Sequence, residues 1–173
     1  MERLWAGWRM AYIESARQGP GGCIFCTKPA AGNDRAEFVL ERGRACFAML
    51  NTFPYNTGHL MVAPYRHVEF FGDLEPEERD DLLLLLGRAE QALRGEYRPD
   101  GFNMGVNLGQ PAGAGVLGHL HAHLVPRWSG DTNFMAAVAE TKVMPEALDR
   151  TYERLLGALG RVAEPVARRP GRP

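Results

Sequence analysis

Residues 119 to 125 run His119-Leu120-His121-Ala122-His123-Leu124-Val125, an imidazole at every second position with apolar residues between them. In an extended strand alternate side chains share a face, so the three rings line one side while Leu120, Ala122 and Leu124 enter the core. Three chemistries compete for this pattern. The rings can be hydrogen-bonded structural groups, ligands of a catalytic zinc, or a nucleophile with two assistants. Metal sharing by all three is awkward, because two residues advance about 6.6 Å along a strand whereas zinc–nitrogen bonds are about 2 Å. Nucleophilic attack suits the central ring, since a neutral imidazole needs no separate base and forms a phosphoramidate that leaves readily once the ring is protonated. Gly109, Gly113, Gly115 and Gly118 lie just upstream. Glycines there let backbone N–H groups approach phosphate oxygens, although they also serve plain turns.

The flanking elements must hold that strand in place. Phe38-Val39-Leu40 and Ala45 to Leu50 read as a hairpin about Arg42-Gly43-Arg44, and Asn51 to Gly58 is a turn-rich link to a strand at His59 to Ala63 stopped by Pro64. Pro76, followed by Glu77, Glu78, Asp80 and Asp81, marks a helix start. Leu82, Leu83, Leu86, Ala89 and Leu93 carry that helix to about Arg94, the five-leucine run facing the sheet. Gly101 to Leu108 alternates as a strand, a glycine-rich loop spans 109 to 118, and the histidine strand follows. A last helix starts near Pro145 and carries Ala147, Leu148, Tyr152, Leu155, Leu156 and Leu159. Strands in a run, a helix, two more strands and a helix give an α+β fold with an antiparallel sheet of about five strands.

At 173 residues and 45% hydrophobic, the chain supports one well-cored domain, taken as residues 1–160 with an N-terminal extension; 161–173 reads as a disordered basic, proline-rich tail. A net charge of -1 with interspersed signs argues against a nucleic-acid or membrane surface. No apolar run approaches a membrane span and the N-terminus lacks a signal-peptide layout, so the expected location is the cytoplasm. Three cysteines make no disulfide framework. Cys23-Ile24-Phe25-Cys26 is a metal-type or redox-type spacing, and Cys46 reads as a small buried hydrophobe.

The triad segment, with Pro126-Arg127 after it and Asn51, Gly58-His59-Leu60 and Pro64 before it, resembles the histidine triad superfamily, whose signature alternates three histidines with apolar residues. The resemblance covers roughly residues 23 to 130. Trp5-Ala6-Gly7-Trp8-Arg9-Met10-Ala11-Tyr12-Ile13 and Arg127-Trp128-Ser129-Gly130-Asp131-Thr132-Asn133-Phe134 look more like the superfamily's bacterial diadenosine tetraphosphate phosphorylase branch than its nucleoside phosphoramidases. The resemblance implies that His121 attacks the α-phosphorus of an adenine nucleotide, giving a nucleotidyl-histidine that phosphate or water then releases. His123 takes the scissile phosphate and the leaving oxygen. Asn51 falls at the ribose position, Asn107 on the α-phosphate side, and Gly113, Ala114, Gly115 and Val116 at the phosphate loop. One departure is that the family often has Ala-Gly-Gln before the triad, where this chain has Ala112-Gly113-Ala114-Gly115 and one residue more.

A subset of the superfamily binds structural zinc through CxxC, a histidine after a proline-bounded strand, and the first triad histidine. Cys23, Cys26, His67 and His119 match those positions, which makes zinc the implied cofactor and His119 an anchor. A redox role for CxxC is disfavoured because the segment shows no helix opening in a βαβ unit. His59 stands where the family commonly has histidine, and its plain reading is a locally hydrogen-bonded strand end. Trp5, Trp8, Tyr12, Trp128 and Phe134 are read mainly as packing residues. The implied protein is a homodimer that takes dinucleoside polyphosphates, adenine nucleotides and inorganic phosphate. Its rivals are hydrolysis of the same substrates or of nucleoside phosphoramidates, a triad-metal hydrolase, and a non-catalytic adenylate-binding module.

Overall fold

The computed structural model describes residues 22–131 and 144–162. In chain order the elements are α1 (Ile24–Ala30), α2 (Asp34–Glu37), β1 (Val39–Arg42), β2 (Cys46–Leu50), β3 (Leu60–Pro64), α3 (Pro76–Tyr97), β4 (Gly101–Val106), β5 (Ala122–Arg127) and α4 (Leu148–Leu159), with 3-10 turns at Phe71–Asp73 and Gln110–Ala112. The strands form one antiparallel sheet in the order β1-β2-β3-β5-β4. The α+β architecture expected from the sequence is present, long helix and C-terminal helix included.

Both faces of the sheet's middle are covered, so β2 and β3 are buried along their whole length. One face, carrying Cys46, Ala48, Leu50, Leu60, Val62, Ala122 and Leu124, packs under α3 and α4, whose Leu82, Leu85, Leu86, Leu93, Tyr152 and Leu155 complete a single apolar cluster. The other face carries Phe47, Met49, Met61 and Ala63 and closes around Phe25 of α1. The hairpin between β1 and β2 turns at Gly43, whose N–H donates to the Cys46 carbonyl at 2.9 Å. Asp81 of α3 holds that turn, its Oδ2 accepting from the Ala45 and Cys46 N–H groups at 2.7 and 2.8 Å. Cys46 is the buried hydrophobe its setting predicted, and burial pushes its thiol up to about 12.

Several local expectations need correction. The five leucines do not share a face, since helix positions turn about 100° per residue; Leu83 is exposed. The long helix runs past Arg94 to Tyr97 and ends on Arg98 in the left-handed conformation. Phe38 is also left-handed, with φ 57°, and ends α2 rather than opening a strand. The C-terminal helix starts at Leu148, with Ala147 in extended backbone before it. The sequence showed neither α1 nor α2. They are seven and four residues long, too short for a periodic pattern, and exist through packing rather than propensity. Cys23 stands at the N-cap of α1, so the CxxC pair does open a helix, contrary to expectation, though in an antiparallel fold with no βαβ unit.

The histidine strand also differs from its expected limits. The β5 ladder begins at Ala122. Gly118, with φ 73°, turns the chain inward, and the Leu120 N–H donates to the Val68 carbonyl at 2.6 Å, outside the sheet. The alternation of faces persists regardless, with Leu120, Ala122 and Leu124 all in the core beneath α3. At the far end Arg161 and Val162 still belong to the folded body: Arg161 pairs with Glu96 and Val162 packs on the core. The rest of the expected tail lies outside the described residues, as do Trp5, Trp8, Tyr12 and Phe134. Among the described residues, no helix is long and apolar enough to cross a membrane.

Candidate active site and metal cluster

His119, His121 and His123 make different hydrogen bonds, and those bonds set the tautomer of each ring, with His121 opposite to the other two. The His119 Nε2 lies 2.9 Å from the Pro64 carbonyl at the end of β3. A carbonyl only accepts, so Nε2 carries the proton and Nδ1 presents a lone pair. The His121 Nδ1 lies 2.8 Å from the His119 carbonyl, so there Nδ1 is the donor and Nε2 keeps the lone pair. His121 is 3% exposed, and burial lowers its pKa below the usual imidazole value, which keeps the ring neutral.

His123 is set by a short relay. The Tyr55 N–H donates to His59 Nδ1 at 3.0 Å, and Asn51 Nδ2 lies 3.4 Å from the same nitrogen. His59 Nε2 therefore carries the proton and donates to His123 Nδ1 at 3.0 Å. That leaves the proton of His123 on its Nε2. The relay works because β3 and β5 pair with Met61 opposite His123, two residues from His59. On the other flank the partner of His123 is Gly105, where a Cβ would meet nothing within 4 Å. Sequence reading gave His59 a local bond; its Nε2 partner, 64 residues away, depends on strand pairing.

Three further side chains meet on the opposite flank of His119. Its Nδ1 lies 3.2 Å from Cys23 Sγ, 3.5 Å from Cys26 Sγ and 3.2 Å from His67 Nδ1, and Cys26 Sγ lies 3.3 Å from His67 Nδ1. All four ligand atoms fall within 4.8 Å of one another. A tetrahedral ion with bonds of 2.0 to 2.3 Å spaces its ligand atoms about 3.3 to 3.8 Å apart, so the contacts of 3.2 to 3.5 Å are compatible with one ion, while the widest spread, up to 4.8 Å, would have to draw in around it. Two thiols and two imidazoles, both offering Nδ1, also suit it chemically. The four residues singled out from sequence are brought together, with Gly118 passing so close that a Cβ there would lie 3.3 Å from His67 Nε2.

Phe25 connects the two halves of the site. It is 0% exposed, lies between the two cysteines, and stacks on the His121 ring with centroids 4.6 Å apart and planes 30° apart. Nothing in the sequence singled it out beyond an apolar residue inside CxxC.

The loop residues are less uniform. Asn51 is buried, its Oδ1 accepting from the Phe53 N–H at 2.9 Å. Asn107 Nδ2 donates to the Gly113 carbonyl at 3.2 Å and so braces the glycine loop. The Gly113 and Ala114 N–H groups bond back to Gln110 and Gly109 carbonyls at 3.0 and 3.4 Å. Val116 packs against the Phe25 cluster. Beyond the triad, Asp131 accepts from Arg127, Asn56 and the Trp128 N–H, which ties the Asn51–Gly58 loop to the end of β5. The guanidinium of Arg127 holds the Asp131 carboxyl well below the usual carboxylate range.

Residues 33–130 match the family model described as HIT domain. Over 162 residues, covering 90% of this chain and 83% of the relative, the sequence is 40% identical to the AP-4-A phosphorylase of Mycobacterium tuberculosis. Two solved structures share the fold. A Zn-bound histidine triad family protein from Mycobacterium smegmatis superposes with a TM-score of 0.65 at 24% identity, over 83% of this chain and 96% of that one. A hypothetical histidine triad nucleotide-binding protein from Sulfolobus tokodaii gives 0.62 at 25% identity, over 79% and 89%.

Proposed function

This chain belongs to the HIT domain family, and on that premise we propose that it converts diadenosine tetraphosphate and phosphate to ATP and ADP through a nucleotidyl group carried on His121. The observation that carries the reading is the His121 tautomer. Its Nδ1–H is tied to the His119 carbonyl, so the buried, neutral ring offers Nε2 as a nucleophile without any other base. Attack by Nε2 on the α-phosphorus forms an N–P bond and breaks the bond to the bridging oxygen, releasing ATP. The His123 Nε2 proton goes to that oxygen. Phosphate then attacks the same phosphorus, loses its proton to His123, and frees His121 as ADP departs. The His119 carbonyl stabilises the positive charge that the His121 ring carries in between.

Asn51 binds the ribose and Asn107 holds the phosphate loop, where Gly115 and Val116 face the anion while Gly113 and Ala114 close the turn. Cys23, Cys26, His67 and His119 would hold one zinc ion, and their shared ligation would fasten α1 and the His67 loop to the segment before β5. Such a site is structural: its four protein ligands leave no open position, and loss of the ion acts through folding rather than on the chemistry directly. The protein works as a cytoplasmic homodimer, and β4, the last strand of the sheet among the described residues, where Met104 is 54% exposed, is the surface for pairing.

Turnover of diadenosine tetraphosphate with and without inorganic phosphate tests the reaction. ATP and ADP that appear only with phosphate support it; AMP formed at the same rate without phosphate identifies a hydrolase instead. His121→Ala must abolish turnover, by about 10⁴-fold or more, and must leave no nucleotide covalently attached after acid quench. A His121→Ala protein that binds AMP normally and a wild type that turns nothing over would mark a non-catalytic binding module.

A further inference from the structure

The Cys-x-x-Cys segment contributes more to the site than two thiols. α1 is seven residues long, contains Pro29 and has no side-chain cap at its start, so it has little stability of its own. Two sets of contacts hold its first turn: the sulfurs of Cys23 and Cys26 against His119 and His67, and the burial of Phe25 among Val39, Phe47, Met49, Met61 and Ala63. Phe25 lies against both relevant rings, 5.3 Å from His119 and 4.6 Å from His121 between centroids. His121 in turn has its Nδ1–H on the carbonyl of His119. The metal cluster and the nucleophile therefore share a residue, His119, and a wall, Phe25.

The geometry points to Phe25 as a positioning residue that fixes the plane of the His121 ring, and so makes the aim of its Nε2 depend on the Cys23–Cys26–His67–His119 cluster being intact. This rests on reading the four-residue cluster as a zinc site and His121 as the nucleophile. An imidazole held only by one Nδ1–H bond can still swing about it. A flat ring stacked at 30° removes that freedom, and the two cysteines on either side of Phe25 fix the turn of α1 that carries it. Positioning of this kind acts on kcat, because misplacing a nucleophile by a fraction of an ångström leaves substrate binding intact.

The test uses the zinc-loaded protein, with zinc per chain, the ¹⁵N imidazole signals of His121 and steady-state kinetics read together. Phe25→Leu, similar in volume but without a flat face, is expected to keep one zinc per chain, broaden or shift the His121 Nδ1–H and Nε2 signals, and lower kcat about 10- to 100-fold with KM nearly unchanged. Cys26→Ser, whose site of change touches His119 and His67 rather than His121, is expected to lose zinc and reproduce the same change in the His121 signals. Unchanged His121 signals in either variant overturn the inference, as does a full kcat in Phe25→Leu. If Phe25→Leu does not fold, Phe25→Met is judged by the same criteria. A wild type inactive on diadenosine tetraphosphate defeats the functional reading alone, since the imidazole signals still decide this one.

Discussion

Along residues 120–124 the chain alternates between two surroundings. Leu120, Ala122 and Leu124 enter a large apolar cluster to which β1, β2, β3 and β5 contribute and which the helices α3 and α4 close. His119, His121 and His123 face the side covered by α1, where each ring has one defining partner: the Pro64 carbonyl, the His119 carbonyl and His59. The core side is redundant, because many side chains each supply a share of buried area. The histidine side is specific, because one bond decides which nitrogen holds the proton. Along β5 the larger apolar cluster and the bonds that set the tautomers thus lie on opposite faces of one sheet, with the smaller cluster around Phe25 the point where the histidine face also carries packing.

The largest effect that would break this separation comes from the core side. Leu124 is completely buried opposite Leu60, and Leu124→Ala is expected to cost about 3–4 kcal/mol of stability. Chemical denaturation would measure it, with turnover per folded molecule within about twofold of wild type if the two faces are energetically separate. A large fall in turnover at 20 °C, with the protein still folded, would show that the faces are coupled through β5.

The next effect comes from the histidine side. His59→Leu removes both the acceptor for the Tyr55 N–H and the donor to His123. It is expected to lower kcat about 30- to 100-fold, in line with the loss of an orienting partner behind a reactive group. His59→Gln carries an acceptor and a donor on one amide and should recover most of that loss. A glutamine variant as poor as the leucine variant would show that His59 matters for its shape rather than its proton.

These contrasts follow what sequence alone conveys. The α+β order and the buried alternation around Ala122 were legible from periodicity, and the grouping of Cys23, Cys26, His67 and His119 through its resemblance to the zinc-binding members of the family. The helix α1 was not, since a seven-residue helix with an internal proline leaves no periodic trace, and its reason for existing is Phe25 packed on a ring nearly a hundred positions away. The relay through His59 was hidden for the same reason: it needs the register that places Met61 beside His123. Tautomers were equally out of reach, as each depends on a backbone carbonyl or N–H whose position is a product of folding. The loop 109–118 was readable as glycine-rich but not in its bonding, since the Gly113 and Ala114 amides turn inward to the Gln110 and Gly109 carbonyls only in the folded chain.

The smallest effect comes from the hairpin that fastens the core side to the sheet. Gly43 has an ordinary backbone conformation, yet a Cβ there would lie 2.3 Å from Asp81 Oδ2. That carboxylate is buried on α3 and accepts from two backbone N–H groups, so it has no slack to move into without leaving donors unpaired. Gly43→Ala is therefore expected to destabilise by about 1–2 kcal/mol through crowding, visible as a lower midpoint in urea with an unchanged slope. Since Asp81 serves the α3 side and makes none of the bonds that set His119, His121 or His123, kcat should stay at the wild-type value. A fall in kcat here would mean that the hairpin bearing Phe47 and Met49, which wall in Phe25, transmits strain from the core face to His121, and the separation of the two faces would fail at its least loaded point.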